Sequence, residues 1–191
     1  ILVGVFGASL MIGIGDIIGS QLRADLHPEE LPMLTVSLSL PEGTTTLEDN
    51  RALVRTLVAE THAVAAMGQV FAEVDWRTPE DADRLAEGML ITYSEPLDQL
   101  PLEPITRLMS GSFPAPGERE IVVEQRFADE FGLGVGDLVV FPRRDRVGEP
   151  VQWKIAGVVY APYVATQVDD PELLMFANYA QAQEIAEITD L

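Results

Sequence analysis

The chain opens with "ILVGVFGASLMIGIGDIIG", a run in which Ser9 and Asp16 are the only clearly polar positions. As a helix rising about 1.5 Å per residue it would extend roughly 28 Å, close to the hydrocarbon thickness of a bilayer. Such a segment has few places to go: it spans a membrane or it fills the centre of a core. The expectation is a span over residues 1–22, the C-terminal part of a first transmembrane helix, with Asp16 near the interface where a charge is cheap. A buried core helix is the alternative. No initiator Met, basic n-region or small-residue cleavage site accompanies the run, so it does not fit a complete signal peptide. The sequence reads as an excerpt of a longer membrane protein.

The remainder is acidic. Asp and Glu number 31 against 12 Lys and Arg, a formal charge of −19, and the summed field repels nucleic acid and anionic membrane surfaces. By the positive-inside rule, residues 23–191 face away from the cytoplasm, giving a protein of the cell (inner or plasma) membrane with an extracytoplasmic domain. The only Lys is Lys154 and there is no Cys. Lysine bases, Schiff-base and phosphate lysines therefore have one candidate, and disulfides, thiolate ligands and cysteine nucleophiles have none.

A short connection over 23–32 ends at Pro28 and Pro32. "MLTVSLSL" then alternates, placing Leu34, Val36, Leu38 and Leu40 on one strand face. The stretch 41–61 reads as a turn and a helix, with Thr45 and Glu48 as a capping box and Leu47, Val54, Leu57 and Val58 on its inner face. Strands follow over 69–76 and 88–94, joined by an acidic segment. Strand, helix, strand, strand is the opening of a split β-α-β plan. Prolines crowd "EPLDQLPLEP" and mark a boundary near residue 95. Beyond it lie a strand at 119–124, a short helix with Phe127 and Phe131 one turn apart, and a hairpin over 137–160. A last strand, Leu173 to Asn178, and a closing helix return to the strand-helix pattern of the first half. The fold class is thus α+β, with 33–95 and 169–191 as two parts of one layer and 96–168 inserted as a smaller β-rich subdomain.

"GLGVG" at 132–136 has the look of a phosphate loop, but the chemistry around it is wrong. A Walker loop ends in Lys and Ser or Thr, and Lys154 is far from any glycine run. A dinucleotide loop runs from strand to helix, whereas this one runs from helix to strand, so the anion-binding helix end is at the wrong side. Gly132 reads instead as a left-handed helix C′ residue, and Gly134 and Gly136 as turn positions before Asp137. His27 and His62 are too few for a zinc site, and a catalytic triad would depend on His62 alone. "PEDAD" at 79–83 and "DDPE" at 169–172 lack the spacing of a calcium loop and read as solvated charge. Arg143, Arg144 and Arg146, at the tip of the hairpin, form the one basic cluster and are the candidate contact with an acidic partner or anion. Trp76, Trp153 and Tyr160 read as packing residues. No catalytic, metal or cofactor residue is assigned.

Three phrases carry a family resemblance. They are Leu108, Gly111, Pro114, Gly117, Glu118, Ile121 and Val123; Ala128, Gly132, Leu133, Val135, Gly136, Asp137 and Val139; and Ile155, Gly157, Val158 and Val159. With the apolar start, this pattern resembles the extracytoplasmic, or periplasmic core, domain of ABC transporter permeases of the MacB/FtsX type. The resemblance implies a porter-like layer carrying the inserted β-rich part, and a second membrane helix beyond Leu191. It also implies a partner ATPase in the cytoplasm whose closure is transmitted through the membrane helices to move a substrate or partner outside. Drug or peptide efflux, lipoprotein release and control of cell-wall enzymes all occur in such a family. The residues themselves leave a different class open: a membrane-anchored binding module or hydrolase with no ATPase partner.

Overall fold

The β-branched runs starting at 69, 138 and 151 become strands of one mixed sheet in the computed structural model, which describes residues 47–61, 65–81, 83–100, 107–142, 151–165, 170 and 173–186. The apolar run, the connection, the strand expected at 33–40, Thr45, both histidines and the hairpin tip lie outside the described residues. No helix among the described residues is long and apolar enough to cross a membrane.

In chain order the elements are α1 (Leu47–Thr61), β1 (Gln69–Trp76), β2 (Ala86–Tyr93), β3 (Arg107–Gly111), β4 (Glu120–Glu124), α2 (Gln125–Phe131), β5 (Leu138–Phe141), β6 (Val151–Tyr160), α3 (Pro162–Ala165), β7 (Leu174–Phe176) and α4 (Tyr179–Ala186). The strand order is β1-β2-β7-β4-β6-β3, with β5 also on β6. Parallel pairing joins β2 to β7 and β4 to β6, and the remaining pairs are antiparallel. Strand β7 is short, yet it sits between β2 and β4 and links the strands before residue 95 to those after it. The sheet curls. Arg77 and Val140 exchange backbone hydrogen bonds of 3.0 and 2.8 Å, so the end of β1 meets β5 through a single bridge.

Strand β6 shows how position in the sheet dictates composition. Its first half pairs with β5 and alternates buried and exposed, whereas Ile155 to Val159 run between β4 and β3 and are all buried. A strand covered on both faces has no solvent side to populate with polar residues, hence "IAGVV". The two faces carry separate cores. On one, Val74, Leu90, Ile121, Ile155 and Met175 pack with Phe127 of α2 and with Ala182 and Ile185 of α4. On the other, Ile91, Tyr93, Val122, Val159 and Phe176 pack with Leu97 and with Val164 of α3.

Phe127 and Phe131 both reach Trp76, with ring centroids 4.8 Å away in each case, and the indole N–H donates to the Glu87 carbonyl at 3.0 Å. Each such aromatic pair adds about 0.5–1.5 kcal/mol to the area it buries. Trp153 is buried against Phe141, so both tryptophans are packing residues as expected, while Tyr160 at the strand end is half-buried.

Three details differ from the expectations set by the sequence. Leu57 is exposed rather than inward, whereas Arg51, Val54 and Val58 are half-buried, and the Arg51 guanidinium donates twice to the Ser94 carbonyl at 3.0 and 2.8 Å. Those three positions lie at i, i+3 and i+7 and so share one face, from which residue 57 is turned away. Strand β3 has no signal in the local pattern, since "RLMSG" is exposed along its whole length and does not alternate. Its extended backbone is imposed by pairing with β6. The short helix α3 is an addition too, although it starts at Pro162, a residue whose fixed φ suits a first helical position.

Candidate functional site

The glycine corner can be rebuilt atom by atom. Buried Glu124 caps the start of α2 by accepting from the Arg126 N–H at 2.5 Å. At the other end Gly132 takes the left-handed conformation, φ 64° and ψ 30°, and the Leu133 N–H reaches back to the Ala128 carbonyl at 3.0 Å. Ala128 and Leu133 both pack on the adjacent core, which completes a Schellman-type stop. The chain then turns at once. The Asp137 N–H donates to the Gly134 carbonyl at 3.1 Å, and the Asp137 carboxylate accepts from the Gly134 N–H at 2.7 Å. Gly136, at φ 97°, donates to the Ile155 carbonyl at 2.8 Å, and Ile155 donates back to the Asp137 carbonyl at 2.9 Å. The N–H groups of Gly134 and Gly136 are thus committed to the fold, and an acidic side chain occupies the loop. A phosphate would meet a carboxylate there. The glycines are a corner between a helix and a strand.

The other phrases converge on the same region. Gly111 pairs with Gly157 across β3 and β6, beside a register irregularity in each of the two ladders that β6 makes here. A Cβ on Gly157 would lie 2.6 Å from the Ser112 carbonyl oxygen and 2.9 Å from that of Ser110, so the pair is glycine because two backbones touch. Ile121, Val123, Val139 and Ile155 are core residues, and Pro114 is buried. The Glu120 carboxyl is held below the usual carboxylate range, first by the Lys154 ammonium and then by the Ala115 N–H. Lys154, the sole lysine, is consumed by an ion pair.

Beside these residues runs an apolar surface that local patterning does not single out. Strands β3 and β5 lie end to end along one side of β6, opposite β4. Leu108, Met109, Val135 and Leu138 are exposed along that side, Met109 by 50% and Val135 by 49%. Strand alternation at 137–141 hints at Leu138, but Met109 and Val135 carry no sequence signal of exposure.

The remaining candidates divide simply. Arg143, Arg144 and Arg146 lie outside the described residues, as do His27 and His62. Glu80, Asp81, Asp83 and Asp170 are exposed, in keeping with solvated charge. Among the described residues no group of three or more metal-ligating side chains is assembled.

No protein-family model and no curated protein matches the chain. Among solved structures it is similar to the periplasmic region of MacB from Actinobacillus actinomycetemcomitans, with TM-score 0.47, 12% identity, and coverage of 71% of this chain and 57% of that one. It is also similar to a domain of a putative permease protein from Porphyromonas gingivalis, with TM-score 0.46, 13% identity, and coverage of 70% and 60% respectively. The chain therefore spans less than two thirds of either.

Proposed function

We propose that this chain is the extracytoplasmic domain of an ABC transporter permease of the MacB/FtsX type. In this reading the domain is non-catalytic. It transmits force from a cytoplasmic ATPase, through membrane helices, to a substrate or partner outside the membrane, as in efflux or lipoprotein release. The observation that carries it is the convergence of the three phrases. Residues from Leu108 to Val159, selected by sequence pattern alone, occupy a single corner in which Gly111 faces Gly157 and Gly136 bonds Ile155. Gly111 and Gly157, 46 residues apart in the chain, come from two different phrases.

In the same reading residues 1–22 form the end of a first span, 33–95 and 169–191 a porter-like layer, and 96–168 the part that meets a partner. The exposed Leu108, Met109, Val135 and Leu138 support a contact role for that part. Arg143, Arg144 and Arg146 are proposed as a second contact, to an acidic partner surface.

The test is purification of the whole protein in mild detergent. An ATPase should co-purify in stoichiometric amount, and substituting the Walker lysine of that ATPase should abolish function. A clean preparation without an ATPase would overturn the reading and leave the anchored binding module or hydrolase in its place.

A further inference from the structure

The two side-chain amides at the start of α4 are engaged through both oxygen and nitrogen, and most of their bonds run to distant chain. The Leu97 N–H donates to Asn178 Oδ1 at 3.0 Å, while Asn178 Nδ2 donates to the Pro114 carbonyl at 3.0 Å. Gln181, only 5% exposed, donates through Nε2 to the Ala115 carbonyl at 3.0 Å and to the Glu118 carbonyl at 2.8 Å. Its Oε1 accepts from the Asn178 N–H at 3.1 Å. Neither amide can be flipped, because each oxygen faces an N–H and each nitrogen faces a carbonyl.

These contacts lead onward into the sheet. Past the 114–119 turn, Glu120 accepts from the Ala115 N–H at 3.1 Å and pairs with Lys154, whose own N–H donates to the Arg119 carbonyl at 2.9 Å. At the surface Arg119 also pairs with Glu184 of α4 at 3.0 Å. The turn is thus tied to α4 on one side and to β6 on the other.

We propose that Asn178 and Gln181 are a coupling hub that makes α4, the 94–97 segment and the 114–119 turn move as one body. A helix held on a sheet by apolar contacts alone can slide, because hydrophobic contacts are non-directional. Directed amide bonds to three backbone carbonyls and one N–H fix its register. A displacement imposed on α4 is then delivered to Glu120 and β6 rather than lost in the loop. The hub carries no formal charge, so its hold does not depend on salt, unlike that of the Arg119–Glu184 pair. The inference rests on bond geometry and stands whether or not the permease reading holds.

Hydrogen exchange on the whole protein tests it. Gln181→Met removes both donors and the acceptor at nearly constant volume. The Glu118, Glu120 and Asn178 amides are expected to exchange about tenfold faster or more, as local opening costs less, while Ile121 to Val123 and Ile155 to Val159 keep their protection. Asn178→Asp supplies a second, milder probe. It keeps the acceptor for Leu97 and loses the donor to Pro114, so the turn should loosen while Leu97 stays protected. Glu184→Gln takes the charge from the surface pair with Arg119 and should leave exchange within about twofold of the parent. A uniform rise across the strands, no rise at the turn, or an equal effect from Glu184→Gln would each overturn the proposal.

Discussion

Gly157→Ala is a sharp perturbation of this fold. The added methyl would sit 2.6 Å from the Ser112 carbonyl oxygen, 2.9 Å from that of Ser110 and 3.0 Å from Leu108 Cδ1. A leucine methyl can swing aside, but the two oxygens belong to the backbone. Ser112 is also anchored by its N–H to the Ala156 carbonyl at 2.9 Å. Restoring ordinary van der Waals separation moves this backbone by most of an ångström and stretches that bond. Overpacking of this kind costs about 1–3 kcal/mol, and weakening a neighbouring hydrogen bond adds about 1 kcal/mol, so a loss of about 2–4 kcal/mol is expected. Gly134→Ala is the matched control, since no atom lies within 4 Å of its added methyl and its φ is not left-handed. It should stay within about 0.5 kcal/mol of the parent. Urea unfolding followed through the fluorescence of buried Trp76 and Trp153 reads both. Equal midpoints for the two variants would refute the close β3–β6 contact and, with it, the account of why positions 111 and 157 are glycine.

Other substitutions probe the cores and the polar contacts. Thr92 is fully buried, and its hydroxyl has no hydrogen-bond partner among the described residues, so Thr92→Val should raise stability by about 1 kcal/mol, read as a higher urea midpoint. Phe127→Ala empties the centre of the aromatic cluster and should cost about 3–5 kcal/mol in the same assay. The Glu120 carboxyl is depressed by Lys154 in the folded chain, so its contribution is present above the unfolded value of about 4.3 and is lost as pH falls through the lower folded value. Lys154→Met should therefore lower the midpoint at pH 7 and close on the parent as the pH is taken below about 4. A gap that stays constant down to about pH 3 would contradict the pairing.

Much of the local structure was legible because it is written in short-range terms. Residues 69–76 form a strand with the bounds that their apolar pattern set, and the hairpin expected over 137–160 pairs its two strands in antiparallel register. The glycine corner was readable for the same reason: a helix stop, a left-handed residue and a tight turn involve neighbours only. The last helix shows the limit. "NYAQ" has the spacing of a capping box, and Gln181 does reach back to the Asn178 N–H. Nothing local says that the Asn178 side chain leaves its own helix to hold Leu97 and Pro114.

By itself, then, the sequence determined what neighbouring residues can settle: charge, the type of the strongly patterned elements, the absence of a Walker lysine, and the glycine-bearing phrases between Leu108 and Val159. The tertiary structure decided the placement of β7 between β2 and β4, the strand state of β3, the opposition of Gly111 and Gly157, and the amide hub. Those features depend on which distant segments pair. Pairing is chosen by the free energy of the whole sheet, to which each short stretch contributes only a periodicity.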